Sequence, residues 1–176
     1  YIDLDRFQEA VDSYNLALGI KPDYQIAQNN LCKAFYELGN YLHKLGKHDA
    51  ATENYIKALA IKPDYAKASY NLGVALNKMD NWADAAVSLK NAIALKPDYA
   101  QAYSNLGNVL ANYGSLNDAI SSFEKALSTD PLLAEAHNNL GTVFKDIGRL
   151  EEAYDHCNRA LTLSPDSTKI HSNMLL

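Results

Sequence analysis

Apolar residues recur at helical spacing along the whole chain. In the stretch from Tyr65 they are Ala68, Leu72, Ala75, Leu76 and Met79, one stripe of a helix. After Asp80-Asn81 a second stripe follows, Ala85, Leu89, Ala92 and Ile93. Lys96-Pro97-Asp98 then closes that segment and opens the next, since proline is tolerated in a first helical turn but not in mid-helix. No segment alternates apolar and polar residues with period two, so no strand is expected.

The same unit repeats. Prolines stand at Pro22, Pro63, Pro97, Pro131 and Pro165, spaced by 41, 34, 34 and 34 residues. Alanines precede each proline by twelve residues (Ala10, Ala51, Ala85, Ala119, Ala153) and by five (Ala17, Ala58, Ala92, Ala126, Ala160). Between them lies Tyr14, Tyr55, Leu89, Phe123 or Cys157, and a Leu-Gly pair recurs at 38–39, 72–73, 106–107 and 140–141. A fixed period of this size specifies a stacked array of helix pairs. A mid-helix glycine costs about 1 kcal/mol, so the repeated Gly73 position implies two backbones approaching too closely for a side chain. The spacing of 41 is one period plus seven, close to two helical turns. Ala27, Leu31, Ala34, Phe35, Leu38, Leu42 and Leu45 keep one phase through it, which predicts a single long helix. The expected helices are 7–20, 24–45, 49–61, 66–79, 83–95, 100–113, 117–129, 134–147 and 151–163.

The pattern L-G…A-x3-[FYL]-x2-A…P at 34 residues resembles the tetratricopeptide repeat. That resemblance implies an all-α, right-handed superhelical solenoid of stacked antiparallel helix pairs, forming one array over residues 1–176. It divides into a partial repeat 1–24, a seven-residue helix extension 25–31, full repeats 32–65, 66–99, 100–133 and 134–167, and a partial repeat 168–176. The large aromatic that often opens the family motif is here Phe35, Ser69, Tyr103, His137 or His171. The chain starts and stops inside repeats, as a fragment of something longer would. Tyr1, Leu4 and Phe7 at one end and Met174-Leu175-Leu176 at the other would then expose apolar surface and favour end-to-end self-association.

Composition narrows the function. A net charge of −5 and a pI near 5.5 speak against a nucleic-acid partner, and no apolar run is long enough for a membrane helix. The start lacks the layout of a secretory signal, no N-x-[ST] sequon occurs, and two cysteines make no framework. A cytoplasmic or nuclear setting with reduced thiols is expected. Catalytic constellations are missing: Glu152 and His156 are two potential ligands only, His137 and His171 hold equivalent packing positions, and His43 and His48 are poorly placed for joint ligation. Cys157 sits at the large apolar position, and each glycine has a repeat or turn explanation. No catalytic residue, metal or cofactor is expected.

The position before each Leu-Gly carries Asn71, Asn105 and Asn139, then Asn173 before Met174. A carboxamide offers one acceptor and two donors, the set that pairs with a peptide backbone. Helices about 8–10 Å apart would present one asparagine to about every third residue of an extended chain. Two readings stand: a ladder for a peptide in the concave groove, or hydrogen bonding between neighbouring helices. Lys67, Tyr70, Gln101, Asn108, Asn112 and Lys145 flank the groove, with Glu37, Glu135 and Asp146 nearby, so no single charge is favoured. The family's carboxylate clamp, which uses a Lys/Arg set on these helices, is not matched. Pro97-Asp98-Tyr99-Ala100-Gln101-Ala102-Tyr103-Ser104-Asn105-Leu106-Gly107-Asn108, and the stretch His171–Leu176, resemble the repeat arm of O-linked N-acetylglucosamine transferases and SPINDLY-type relatives. Two functions follow: a protein-interaction scaffold that binds an extended peptide or a partner protein, or the substrate-recruiting arm of such a transferase.

Overall fold

A computed structural model describes residues 2–174, with the backbone alone at 2–5, 169 and 174. Every regular element among the described residues is a helix. The chain forms two compact units, Tyr1–Leu95 and Lys96–Leu176. The first holds α1 (Ile2–Ile20), α2 (Gln25–Lys44), α3 (His48–Ile61), α4 (Ala66–Lys78) and α5 (Trp82–Leu95). The second holds α6 (Ala100–Asn112), α7 (Leu116–Thr129), α8 (Ala134–Asp146), α9 (Leu150–Leu163) and α10 (Thr168–Met174). In the first unit α2 packs with α3 and α4 with α5; in the second, α6 packs with α7 and α8 with α9. Within each unit, pairs stack on pairs through α3 and α4, and through α7 and α8.

Local chemistry explains the boundaries. Lys-Pro-Asp-Tyr at 21–24, 62–65 and 96–99 forms the turn between pairs, and each lysine ammonium sits over the tyrosine ring three residues on, at 5.8, 5.6 and 4.8 Å. Within each pair the first helix ends in a left-handed residue: Gly46, Asp80, Gly114 or Gly148, at φ 74°, 56°, 87° and 80°. The next amide reaches back five residues, as in Lys47 N–H to the Leu42 carbonyl at 3.0 Å and Arg149 N–H to that of Phe144 at 2.8 Å. The inserted heptad continues the helix: α2 runs unbroken for 20 residues. Helix α1 begins at Ile2, earlier than residue 7, and Leu45 and Met79, expected on the apolar stripe, are helix-terminal and exposed.

The core is built from small residues facing large ones. Ala51, Ala58, Ala85, Ala92, Ala119, Ala126 and Ala160 are fully buried. A Cβ carbon at Gly39 would lie 2.7 Å from the Tyr55 ring, at Gly73 2.6 Å from Leu89, and at Gly141 2.6 Å from the Cys157 sulfur. The glycine therefore leaves room for the large side chain of the paired helix. Contact with backbone, expected from sequence as the main cause, is the lesser part, at 3.1 Å from Ala85 O and 3.0 Å from Ala153 O. Phe7, expected at an exposed end, is half-buried against Tyr41 at 5.9 Å. Tyr1, Leu175 and Leu176, and the side chains of Leu4 and Met174, lie outside the described residues.

Candidate functional site

The asparagine before Leu-Gly projects from the first helix of its pair, and in each unit one such residue shows the same bonding. Asn71 on α4 donates from Nδ2 to Asn40 Oδ1 at 2.7 Å and to the Tyr36 hydroxyl at 3.2 Å, both on α2. Asn173 on α10 donates to Asn138 Oδ1 at 2.9 Å and to Thr142 Oγ1 at 3.3 Å, both on α8. The partners stand 35 and 31 residues upstream in both cases. At these two positions a polar seam joins α2 to α4 and α8 to α10.

In the first unit this seam is a network. Asn40 Oδ1 also accepts from the Tyr55 hydroxyl at 3.0 Å, and Asn40 Nδ2 donates to the Glu37 carboxylate at 3.2 Å. Burial, and then the neighbouring Tyr36, push the Tyr55 phenol well above its ordinary range and that of Tyr65 up to about 12. Both stay protonated, so Tyr55 remains a donor. Glu37, Asn40, His43, Lys44, Tyr55, Asn71 and Val74 line a cavity of about 310 Å³. It is acidic at Glu37 and basic at Lys44, two helical turns apart.

In the second unit Asn105 donates to the Gln101 carbonyl at 3.0 Å. Asn139 differs: its Oδ1 accepts from Asn138 Nδ2 at 3.3 Å, while its own Nδ2 is buried without a partner. Ser104 Oγ is likewise buried and unpaired. A buried donor left unpaired costs about 1–3 kcal/mol. Asn173 and Lys145 line a smaller cavity of about 150 Å³ with Thr142, Leu150, Tyr154 and Cys157. Of the remaining flanking candidates, Lys67, Gln101 and Asn112 are exposed, and Tyr70 and Asn108 are half-buried. Sequence reasoning missed Tyr36, Asn40, Tyr55, Asn138 and Thr142 as seam residues; for all but Tyr55 the signal was the recurring offset of 35 and 31 from an asparagine.

The histidines pair in ways spacing did not reveal. His43 and His48, judged badly placed, meet with Nδ1 atoms 3.2 Å apart, because the turn between α2 and α3 folds one towards the other. His137 Nδ1 lies 2.9 Å from His156 Nδ1, and His137 Nε2 is 3.3 Å from the Pro131 carbonyl. A proton on His137 Nε2 serves that carbonyl, so His156 donates between the rings. Burial pushes both pKa values below the ordinary histidine value, aided at His156 by the charge of His137. Glu152 pairs with Arg149 instead of facing a metal with His156. Among the described residues no group of three or more His, Cys, Asp or Glu side chains is arranged to hold a metal. Both cysteines are free and buried; Cys32 Sγ donates to the Ala58 carbonyl at 3.4 Å. No described helix is long and apolar enough to cross a membrane.

Three models of this repeat match the chain. Two described as TPR repeat and tetratricopeptide repeat cover 39–80 with 75–114, and 134–167; a third, also tetratricopeptide repeat, covers 1–24 and 100–131. The chain belongs to the tetratricopeptide repeat family. Among solved tetratricopeptide structures, YrrB, described as having an unusual peptide-binding site, is 25% identical, with 99% of this chain and 86% of that chain covered at a TM-score of 0.78. MamA is 29% identical, over 94% of this chain and 86% of its own, with a TM-score of 0.74. The first repeat domain of Spaghetti (RPAP3), solved with the HSP90 peptide SRMEEVD, is 28% identical over 66% of this chain and 92% of its own, with a TM-score of 0.64. No curated protein matches the chain.

Proposed function

We propose that this tetratricopeptide repeat chain is a protein-interaction scaffold that binds an extended peptide segment of a partner protein and catalyses nothing itself. The observation that carries the reading is the amide-lined cavity beside Asn71, where Asn40, Tyr55 and Asn71 surround about 310 Å³ between the Glu37 carboxylate and the Lys44 ammonium. Glu37 and Lys44 stand seven residues apart on α2, about 10 Å along a helix, which matches about three residues of extended chain. A segment with a basic residue towards Glu37 and an acidic one towards Lys44 complements both ends. In the second unit Asn139, Asn173, Asn105, Gln101, Asn108, Asn112 and Lys145 supply similar polar groups, as Lys67 and Tyr70 do in the first. The peptide complex of the related first Spaghetti (RPAP3) repeat domain supports a peptide ligand for this chain as well. The narrower reading, a repeat arm that brings proteins to a glycosyltransferase, rests on sequence phrases alone. End-to-end association of copies belongs to the same proposal and is supported by exposed Leu16 and Ile20 on α1 and Leu150 and Tyr154 on α9.

The test is selection of dodecapeptides from a random display library on the chain, followed by calorimetry of the enriched sequences. Enrichment of peptides whose affinity falls on Glu37→Gln and Lys44→Gln supports the reading. A library that yields no binder, or binders indifferent to both variants, overturns it.

A further inference from the structure

We propose that the first unit carries a second, separate binding site: an open cleft over Ser69 that takes the tryptophan side chain of a partner protein. Elsewhere in the chain the repeat couples a ring with a cation 22 residues on, as Phe35 with Lys57, Tyr103 with Lys125 and His137 with Arg159. The Lys57 ammonium lies over the Phe35 ring, 5.7 Å from its centroid. The repeat 66–99 lacks both groups, with Ser69 in place of the ring and Asn91 in place of the cation. Space opens where the ring would be. Leu59, Pro63, Ser69, Asn91, Ala94 and Leu95 line a cleft of about 390 Å³, within the range of about 300–1,000 Å³ usual for ligand sites. Ser69 is 4% exposed and forms its floor, whereas Pro63, Asn91, Ala94 and Leu95 are exposed at its mouth. Ser69 and Asn71 are two residues apart on α4, about 200° around a helix, so this cleft and the Asn71 cavity lie on opposite faces of α4.

The second unit shows how this position holds a ring that carries an N–H. His137 occupies it there, and its Nε2 donates to the Pro131 carbonyl, six residues upstream, at 3.3 Å. Pro63 likewise stands six residues before Ser69, and among the described residues no donor meets its carbonyl. The fitting guest is therefore a ring with an N–H on its edge and apolar faces for Leu59, Pro63 and Leu95. Indole meets both demands, since it joins the largest apolar face of any side chain to one ring donor. Asn91, shorter than the lysine that covers Phe35, leaves the cleft unlidded. A side chain can enter from outside while its main chain stays in solvent, as a residue held in a folded or extended partner requires.

The test is NMR chemical-shift mapping of the isotope-labelled chain with N-acetyl-tryptophanamide, joined to thermal melting of Ser69→Phe. Saturable shifts at Leu59, Asn91, Ala94 and Leu95, with a Kd at or below about 5 mM, are expected. The same amide methylated on its indole nitrogen keeps the ring and loses the donor, and should bind at least about threefold more weakly. Ser69→Phe fills the cleft from within, so it should raise the melting midpoint, by about 2 °C, and abolish the shifts. No saturation by about 5 mM, or a methylated amide that binds within that threefold factor, would overturn the inference. So would a Ser69→Phe midpoint at or below that of wild type, or a Ser69→Phe chain that still binds at these residues. Free indole binding about tenfold more tightly than the amide would also overturn it, by making the occupant a small molecule rather than a protein side chain. None of these outcomes depends on a peptide in the Asn71 cavity.

Discussion

Gly107 on α6 faces the ring of Phe123 on α7 so closely that a Cβ carbon there would lie 2.7 Å from Cε1. Phe123 is fully buried, so the ring has nowhere to retreat. Gly107→Ala is expected to destabilise the chain by about 1–3 kcal/mol through overpacking, measured by urea or thermal denaturation. A variant as stable as wild type would show that the ring moves freely.

Asp80 takes the left-handed turn position that glycine holds at 46, 114 and 148, with φ at 56°. Its Cβ is strained there, whereas glycine is not. Asp80→Gly is therefore expected to raise stability by about 0.5–1 kcal/mol, net of the greater freedom glycine gives the unfolded chain. A lower melting midpoint would mean that the aspartate makes a compensating contact.

The pair of His137 and His156 sets an acid limit. Both have pKa values lowered from 6.5, mainly by burial. A base with a depressed folded pKa binds fewer protons folded than unfolded, so stability rises with pH across this window. The melting midpoint should be level above about pH 7 and fall as pH drops below about 6.5, before most carboxylates titrate. Replacing His156 with glutamine should flatten that slope; an unchanged slope would place its origin elsewhere.

Cys32 and Cys157 are buried and free, and burial raises both thiol pKa values. Thiolate is the reactive form. Native chain should react with a colorimetric disulfide reagent at least about tenfold more slowly than chain in denaturant. Fast labelling of the folded chain would contradict the burial.

The period was legible because proline, the paired alanines and Leu-Gly each obey a local rule, and each local rule repeats every 34 residues. The unbroken α2 was legible for the same reason, since seven residues keep helical phase. Hydrogen-bond partners were not. Whether Asn71 serves a ligand or its neighbour depends on Tyr36 and Asn40, which stand 35 and 31 residues upstream on another helix. Likewise His43 and His48 meet only because the chain reverses at Gly46. These are tertiary relations, which residue spacing along one helix does not encode.

The central claim is that a partner is held by its backbone, and amide-to-ester replacement in a bound peptide tests it most directly. An ester removes the N–H and weakens the carbonyl acceptor while keeping every side chain. For a dodecapeptide selected on the chain, calorimetry should show central ester replacements weakening binding about tenfold, and single alanine replacements of its uncharged residues by less than about threefold. Peptides that tolerate esters but lose binding with individual uncharged side chains would contradict the account.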